Sequence, residues 1–145
     1  MSGPCVKCGH NPDAEVTARW AFRLDKRIES ANLYTVNKGN SRWRYSKARD
    51  EWQWLVKAAV LGLVGKLPYR LGYARPSSKR RVTITRHYAG RCKLLDKDNL
   101  GVKPLVDALV REGVIHDDDA THLELHVLQV KGERNETHVE VEELA

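Results

Sequence analysis

Residues 81–127, RVTITRHYAGRCKLLDKDNLGVKPLVDALVREGVIHDDDATHLELHV, carry two changes of hydrophobic period within one stretch. Over 81–88, Val82 and Ile84 alternate with polar neighbours, the pattern of a strand with one buried face. After the acidic segment DKDN the apolar positions become Val102, Leu105, Val106, Leu109 and Val110, which is helical spacing. Pro104 suits the first turn of that helix and Gly113 its end. Leu123, Leu125 and Val127 then return to alternation. The stretch therefore predicts strand, helix and strand, with an acidic run on each side of the helix.

The flanks extend the pattern. Upstream, residues 15–25 alternate Val16, Ala18, Trp20, Phe22 and Leu24 against polar or small residues, another half-buried strand. Asn37 to Asn40 read as a turn, and Ser46 can cap a helix continuing to about Val64. Its expected buried stripe is Trp52, Leu55, Val56, Ala59 and Leu63, while Trp54, Val60 and Leu61 fall off it and could face a partner. Pro68, Gly72 and Pro76 mark a basic connection. Downstream, KGERN turns the chain and Val139 and Val141 alternate in a last strand. The order β-α-β-α-β-β predicts a small α+β (mixed α/β) domain over 15–145, with about four strands in one sheet and two main helices against it. Residues 1–14 read as an irregular leader.

The 145 residues suit one domain and one active site per chain. Lys and Arg number 25 against 19 Asp and Glu, a net charge of +6, which favours polyanionic partners, nucleic acid first. An apolar content of 41% argues against a disordered basic tail. No apolar run reaches the roughly 18 residues of a membrane span, so a soluble protein without a membrane partner is expected. The charge is divided. Basic residues gather from Arg19 to Arg49, interleaved with Trp20, Trp43 and Tyr45, and again from Arg75 to Lys93, whereas the last third is acidic. Such a division predicts a phosphate-binding face, with Arg23, Arg42, Arg44 and Arg86 among the residues holding a nucleic-acid backbone.

Carboxylates in a basic protein need a reason. Asp96 and Asp98 are two apart, so at an extended strand end they would point the same way and could hold one hard cation. Asp117 and Asp118 follow the helix, and a helix of roughly ten residues spans only about 15 Å before the chain can turn back. Gathered carboxylates repel unless a cation is present. Mg²⁺, or Mn²⁺, suits all-oxygen ligation and keeps part of its water shell. DKDNLG also begins like a calcium loop, but Leu100 and Pro104 stand where oxygen ligands belong. Taken alone, Asp117 to Asp119 would cap or solvate a turn. Asp107, four residues before Arg111, is expected to pair with it on the helix surface.

The segments LDKDNL, KPLVDALVREGVI and DDDATHLELHVLQ resemble the RusA family of Holliday junction resolvases, over about Arg81 to Val130. RLDKRIESANLYTVNKGNSRWRYSKAR resembles the entry region of phage members less specifically. The resemblance implies a Mg²⁺-dependent crossover junction endodeoxyribonuclease that acts on branched DNA as a homodimer, in the cytoplasm or nucleoid of a bacterial host, with no small-molecule cofactor. It also implies essential carboxylates at Asp96, Asp98 and Asp118, with Asp117 as the alternative third ligand and as an additional metal ligand. Lys103 matches the motif lysine that assists at the scissile phosphate, although one extra residue separates it from Asn99. Asn99 would orient an aspartate or cap the helix. A reading from another class is a non-catalytic DNA-binding or architectural protein of the same fold. Outside the resemblance, Cys5, Cys8 and His10 form a C-x-x-C half-site for zinc without an evident second half. His87, His122, His126 and His138 fall in strand contexts, where a surface or sheet-edge role is commoner than ligation.

Overall fold

The computed structural model describes residues 16–34, 41–63 and 73–144. The Cys5/Cys8/His10 half-site and the turn expected at 37–40 lie outside them. In chain order the elements are β1 (Val16–Leu24), α1 (Ser41–Leu63), β2 (Lys79–Tyr88), α2 (Lys103–Arg111), β3 (Leu123–Lys131) and β4 (Glu136–Leu144), with short 3-10 turns at Ala31–Tyr34 and Lys97–Asn99. This is the α+β architecture expected from the periodicities. The sheet order is β1-β4-β2-β3. β2 and β3 are parallel because α2 carries the chain back across the sheet between them, and β4 pairs antiparallel with both β1 and β2.

One face of the sheet is apolar: Trp20, Phe22 and Leu24 of β1, Val82 and Ile84 of β2, and Val139 and Val141 of β4. Both helices cover it, α1 through Ala48, Trp52, Val56 and Val60, and α2 through Leu105, Ala108 and Leu109. The buried row of α1 thus follows i, i+4 spacing, which makes Val60 a core residue and leaves Leu55, Ala59 and Leu63 only partly covered. Trp54 and Leu61 are exposed, as expected for positions off the stripe. The helix also starts at Ser41, a turn before Ser46. On the edge strand β3, Leu123 is buried while Leu125, Leu128 and Val130 are exposed. Among the described residues no helix is long and apolar enough to cross a membrane.

Three arginines of the second basic stretch are internal. Arg80, Arg81 and Arg86 are 2%, 9% and 3% exposed. Arg80 lies directly opposite Glu143, with Nη2 at 3.3 Å from its carboxylate, and donates from Nη1 to the Val114 carbonyl at 2.8 Å. Arg81 lies opposite Glu124 on β3 and Glu142 on β4, and pairs with both. The acidic residues of the C-terminal third therefore neutralise arginines of β2 across the ladder, where opposite charges in register stabilise one pairing over a slipped one.

Candidate active site

The loop after β2 carries the first acidic run and is fastened at both ends. Before Asp96, the Gln129 amide on β3 accepts from the Leu95 N–H at 3.0 Å and donates to the Leu95 carbonyl at 2.7 Å. Arg86 donates from Nη1 to that same Gln129 oxygen at 3.0 Å and to the Lys93 carbonyl at 3.2 Å, and from Nε to the Ile28 carbonyl at 2.8 Å. Its guanidinium is thus committed to holding loops together, which corrects its expected place on a DNA backbone. After Asn99, Leu100 bridges to Ser30, and the Gly101 N–H donates to the Glu29 carbonyl at 2.9 Å.

Gly101 is required by that close approach, since a Cβ there would lie 2.7 Å from the Glu29 oxygen. Backbone cannot swing aside as a side chain can. Gly101→Ala is therefore expected to lower stability by about 1–3 kcal/mol, read from denaturant unfolding, and to shift the loop that displays Asp96 and Asp98. An unchanged midpoint would show that the 29–31 backbone yields freely.

Between these anchors, Asp96, Lys97 and Asp98 are exposed. They do not sit at an extended strand end: Asp96 precedes a 3-10 turn and Asp98 lies within it, with the Asn99 N–H donating to the Asp96 carbonyl at 2.8 Å. The alternation argument for their common direction does not apply to such a turn. Nor does Asn99 cap α2, whose N-cap position is Val102 with no side-chain hydrogen bond. Lys103 opens α2, with Nζ 3.4 Å from Asp107 one turn on. Asp107 thus takes Lys103 as its ion-pair partner, whereas Arg111 donates to Gln53 of α1 at 3.4 Å. Burial raises the Asp107 pKa, and the charge of Asp118 raises it further, against the opposing pull of Arg111.

The second acidic run divides its labour. Asp119 Oδ1 accepts from the His122 N–H at 3.1 Å and meets His122 Nδ1 at 2.6 Å, while the far ring nitrogen of His122 meets the Pro76 carbonyl at 2.9 Å. With an acceptor at each nitrogen, chiefly the Asp119 carboxylate, the His122 pKa is raised, and the same contact lowers that of Asp119. Asp117 accepts from the Asp118 N–H at 2.8 Å. Asp119 and Asp117 are thus engaged in shaping the turn into β3. The exposed Asp118 carboxylate has no such partner among the described residues and lies near enough to Asp107 to raise it.

Asp96, Asp98 and Asp118 with Lys103 are consequently displayed on the two loops flanking α2 and on its first turn. As a donor set, all carboxylate oxygen, they fit a hard divalent cation such as Mg²⁺. The structure does not draw them tightly together: among the described residues the one group of three possible metal donors within 4.8 Å of one another is His87, Glu136 and His138. Of the predicted phosphate contacts, Arg42 lines a cavity of about 580 Å³ with Lys103, Gly101, Tyr34 and Tyr45, beside the acidic loop. Arg44 is exposed on the first turn of α1. Arg23 lies on the sheet face opposite the helices, in a cavity with His87, Glu133, Arg134 and Glu136.

The His87/Glu136/His138 group was not anticipated as a unit. The alternation of Glu136 and His138 within ETH is legible in the sequence, but His87 joins them only through the pairing of β2 with β4. A scan against protein-family models finds no match for the chain, and neither does a search of curated proteins.

Proposed function

We propose that this protein is a metal-dependent, structure-selective endodeoxyribonuclease that cuts Holliday junctions or other branched DNA in recombination, repair or phage DNA processing, acting as a homodimer. The observation that carries the reading is the display of three carboxylates without cationic partners among the described residues, Asp96, Asp98 and Asp118, around a helix whose first residue is Lys103. They occupy the positions that match the resembling motif, and Arg42 lines a cavity with Lys103. Asp96, Asp98 and Asp118, with Asp117 adjacent, would hold Mg²⁺, or Mn²⁺. Bound there, the cation supplies Lewis-acid stabilisation of charge on the scissile phosphate. Lys103 adds a positive charge at the same phosphate once released from Asp107, and Arg42 and Arg44 hold the flanking backbone. Paired cuts in a two-fold junction call for two such sites, and a closed dimer is the simplest way to place them.

The alternative is a DNA-binding protein without chemistry. Exposed carboxylates beside a phosphate-binding surface weaken binding unless a cation covers them, so this reading leaves Asp96, Asp98 and Asp118 without a purpose. Incubation with a synthetic four-way junction, with and without Mg²⁺, separates the two: cleavage that requires the metal supports the nuclease, and tight binding with no cleavage in any divalent cation supports the alternative.

The buried arginines change the electrostatic expectation. With Arg80, Arg81 and Arg86 committed internally, phosphate contact falls to exposed cations such as Arg42, Arg44, Lys97 and Lys103. If about six phosphates are neutralised per protein, affinity falls roughly 10³-fold between about 50 and 200 mM salt. Arg42→Ala and Arg44→Ala should each reduce the salt slope by about one. A salt-independent affinity would remove the basic-surface argument.

A further inference from the structure

On the sheet face away from the helices, strand periodicity and register bring together three side chains that the acidic site does not use. His87 near the end of β2 lies directly opposite Glu136 at the start of β4, and His138 follows two residues on, so all three project from the same face. The His87 and His138 rings are 3.8 Å apart between centroids, and His138 Nε2 is 2.9 Å from Glu136 Oε1. One donor atom from each residue lies within 4.8 Å of the other two.

We infer that His87, Glu136 and His138 form a binding site for a borderline divalent transition metal of the Zn²⁺ type, separate from the carboxylate site and selective against Mg²⁺. The donor set decides the selectivity. Two imidazoles and one carboxylate suit zinc and its neighbours, whereas Mg²⁺ prefers oxygen and water. Geometry agrees in scale: with zinc–ligand distances of about 2.0–2.1 Å, adjacent donors of a tetrahedron are about 3.3 Å apart. The 2.9 Å contact between His138 and Glu136 needs to open by only a few tenths of an ångström.

His138 is 33% and Glu136 20% exposed, so a fourth position faces solvent, and His87 and Glu136 line a cavity of about 470 Å³ with Arg23, Glu133 and Arg134. The carboxylates of Glu133 and Glu136 offset the two arginines there, so the cation does not enter a net positive cavity. A bound ion would cross-link β2 to β4 beside the turn that joins β3 to β4.

The test uses the full chain in a Cys5→Ser, Cys8→Ser background, because Cys5 and Cys8 are themselves potential zinc ligands. Zn²⁺ is titrated calorimetrically at neutral pH, Co²⁺ absorption reports the donor type, and circular dichroism without metal checks folding. One equivalent of Zn²⁺ is expected, with a Co²⁺ spectrum lacking thiolate charge transfer and no competition from millimolar Mg²⁺. His87→Gln and His138→Gln, each folded, should weaken Zn²⁺ at least tenfold. Absence of Zn²⁺ binding in the parent, or binding that persists unchanged in the double histidine variant, overturns the inference. Neither result depends on junction cleavage, so this site and the nuclease reading stand or fall separately.

Discussion

Asp118→Asn is expected to abolish Mg²⁺-dependent cleavage of a four-way junction while leaving junction binding intact or tighter. On the proposed reading Asp118 would hold the cation, and losing the several kcal/mol of charge stabilisation that the cation would supply corresponds to about a thousandfold or more in rate. Removing a negative charge beside the phosphates favours binding. Asp98→Asn should behave in the same way.

The neighbours of Asp118 supply the control. Asp119 is engaged with His122 and the turn into β3, so Asp119→Asn is expected to lower the melting temperature and leave cleavage within a few-fold of the parent. Single-turnover cleavage and thermal denaturation of the three variants check the assignment. If Asp119→Asn were inactive and Asp118→Asn active, the third carboxylate would be one residue later than assigned. Parallel loss of folding in all three would make the aspartates structural.

Glu124→Gln is expected to cost about 1–3 kcal/mol of stability, because it removes the charge partner of Arg81 on β3 and leaves it only Glu142 on β4, at 3.8 Å, among the ion pairs described. The side chains of Arg81 and Glu124 are only 10% and 6% exposed, so solvent screens the pair little. Arg81→Met combined with Glu124→Leu should recover part of that loss, since removing both charges also removes their desolvation cost while Glu142 keeps Arg19 at 3.2 Å.

The pH dependence has a definite sign. Burial pushes the Glu124 carboxyl up, but hydrogen bonds and charge from Arg81 and His126 outweigh it, so the pKa ends below its ordinary 4.5. A carboxyl depressed by folding contributes stability that is present above its ordinary value and is lost as pH falls through the lower folded value. The stability difference between the parent and Glu124→Gln should therefore be full at neutral pH and narrow below about pH 4.5. A difference that widened on acidification would mean that the contact with Arg81 is not the source of the Glu124 contribution.

The sequence by itself determined the kind and order of the elements and most of the core. Alternation at Trp20, Phe22 and Leu24, at Val82 and Ile84, and at Val139 and Val141 identifies strands with one apolar face. Leu105 and Leu109 with Pro104 and Gly113 identify a helix and its ends; Gly113 adopts φ +74 where α2 stops, as its position suggested. These signals are local, set by which side chains share a face within a few residues. The presence and positions of the acidic runs were legible for the same reason.

What required the tertiary structure was everything that depends on a neighbour distant in sequence. β4 enters between β1 and β2, an order that no local period encodes. Arg80, Arg81 and Arg86 look like surface cations until Glu143, Glu124, Glu142 and Gln129 arrive on adjoining strands and satisfy them internally. Among three consecutive aspartates, composition cannot choose. The structure distinguishes their surroundings: His122 is held between Asp119 and the Pro76 carbonyl, Asp117 accepts from the Asp118 N–H, and Asp118 is exposed. His87 meets Glu136 and His138 only because β2 and β4 pair in one register, and a shift of one residue would turn His87 to the opposite face.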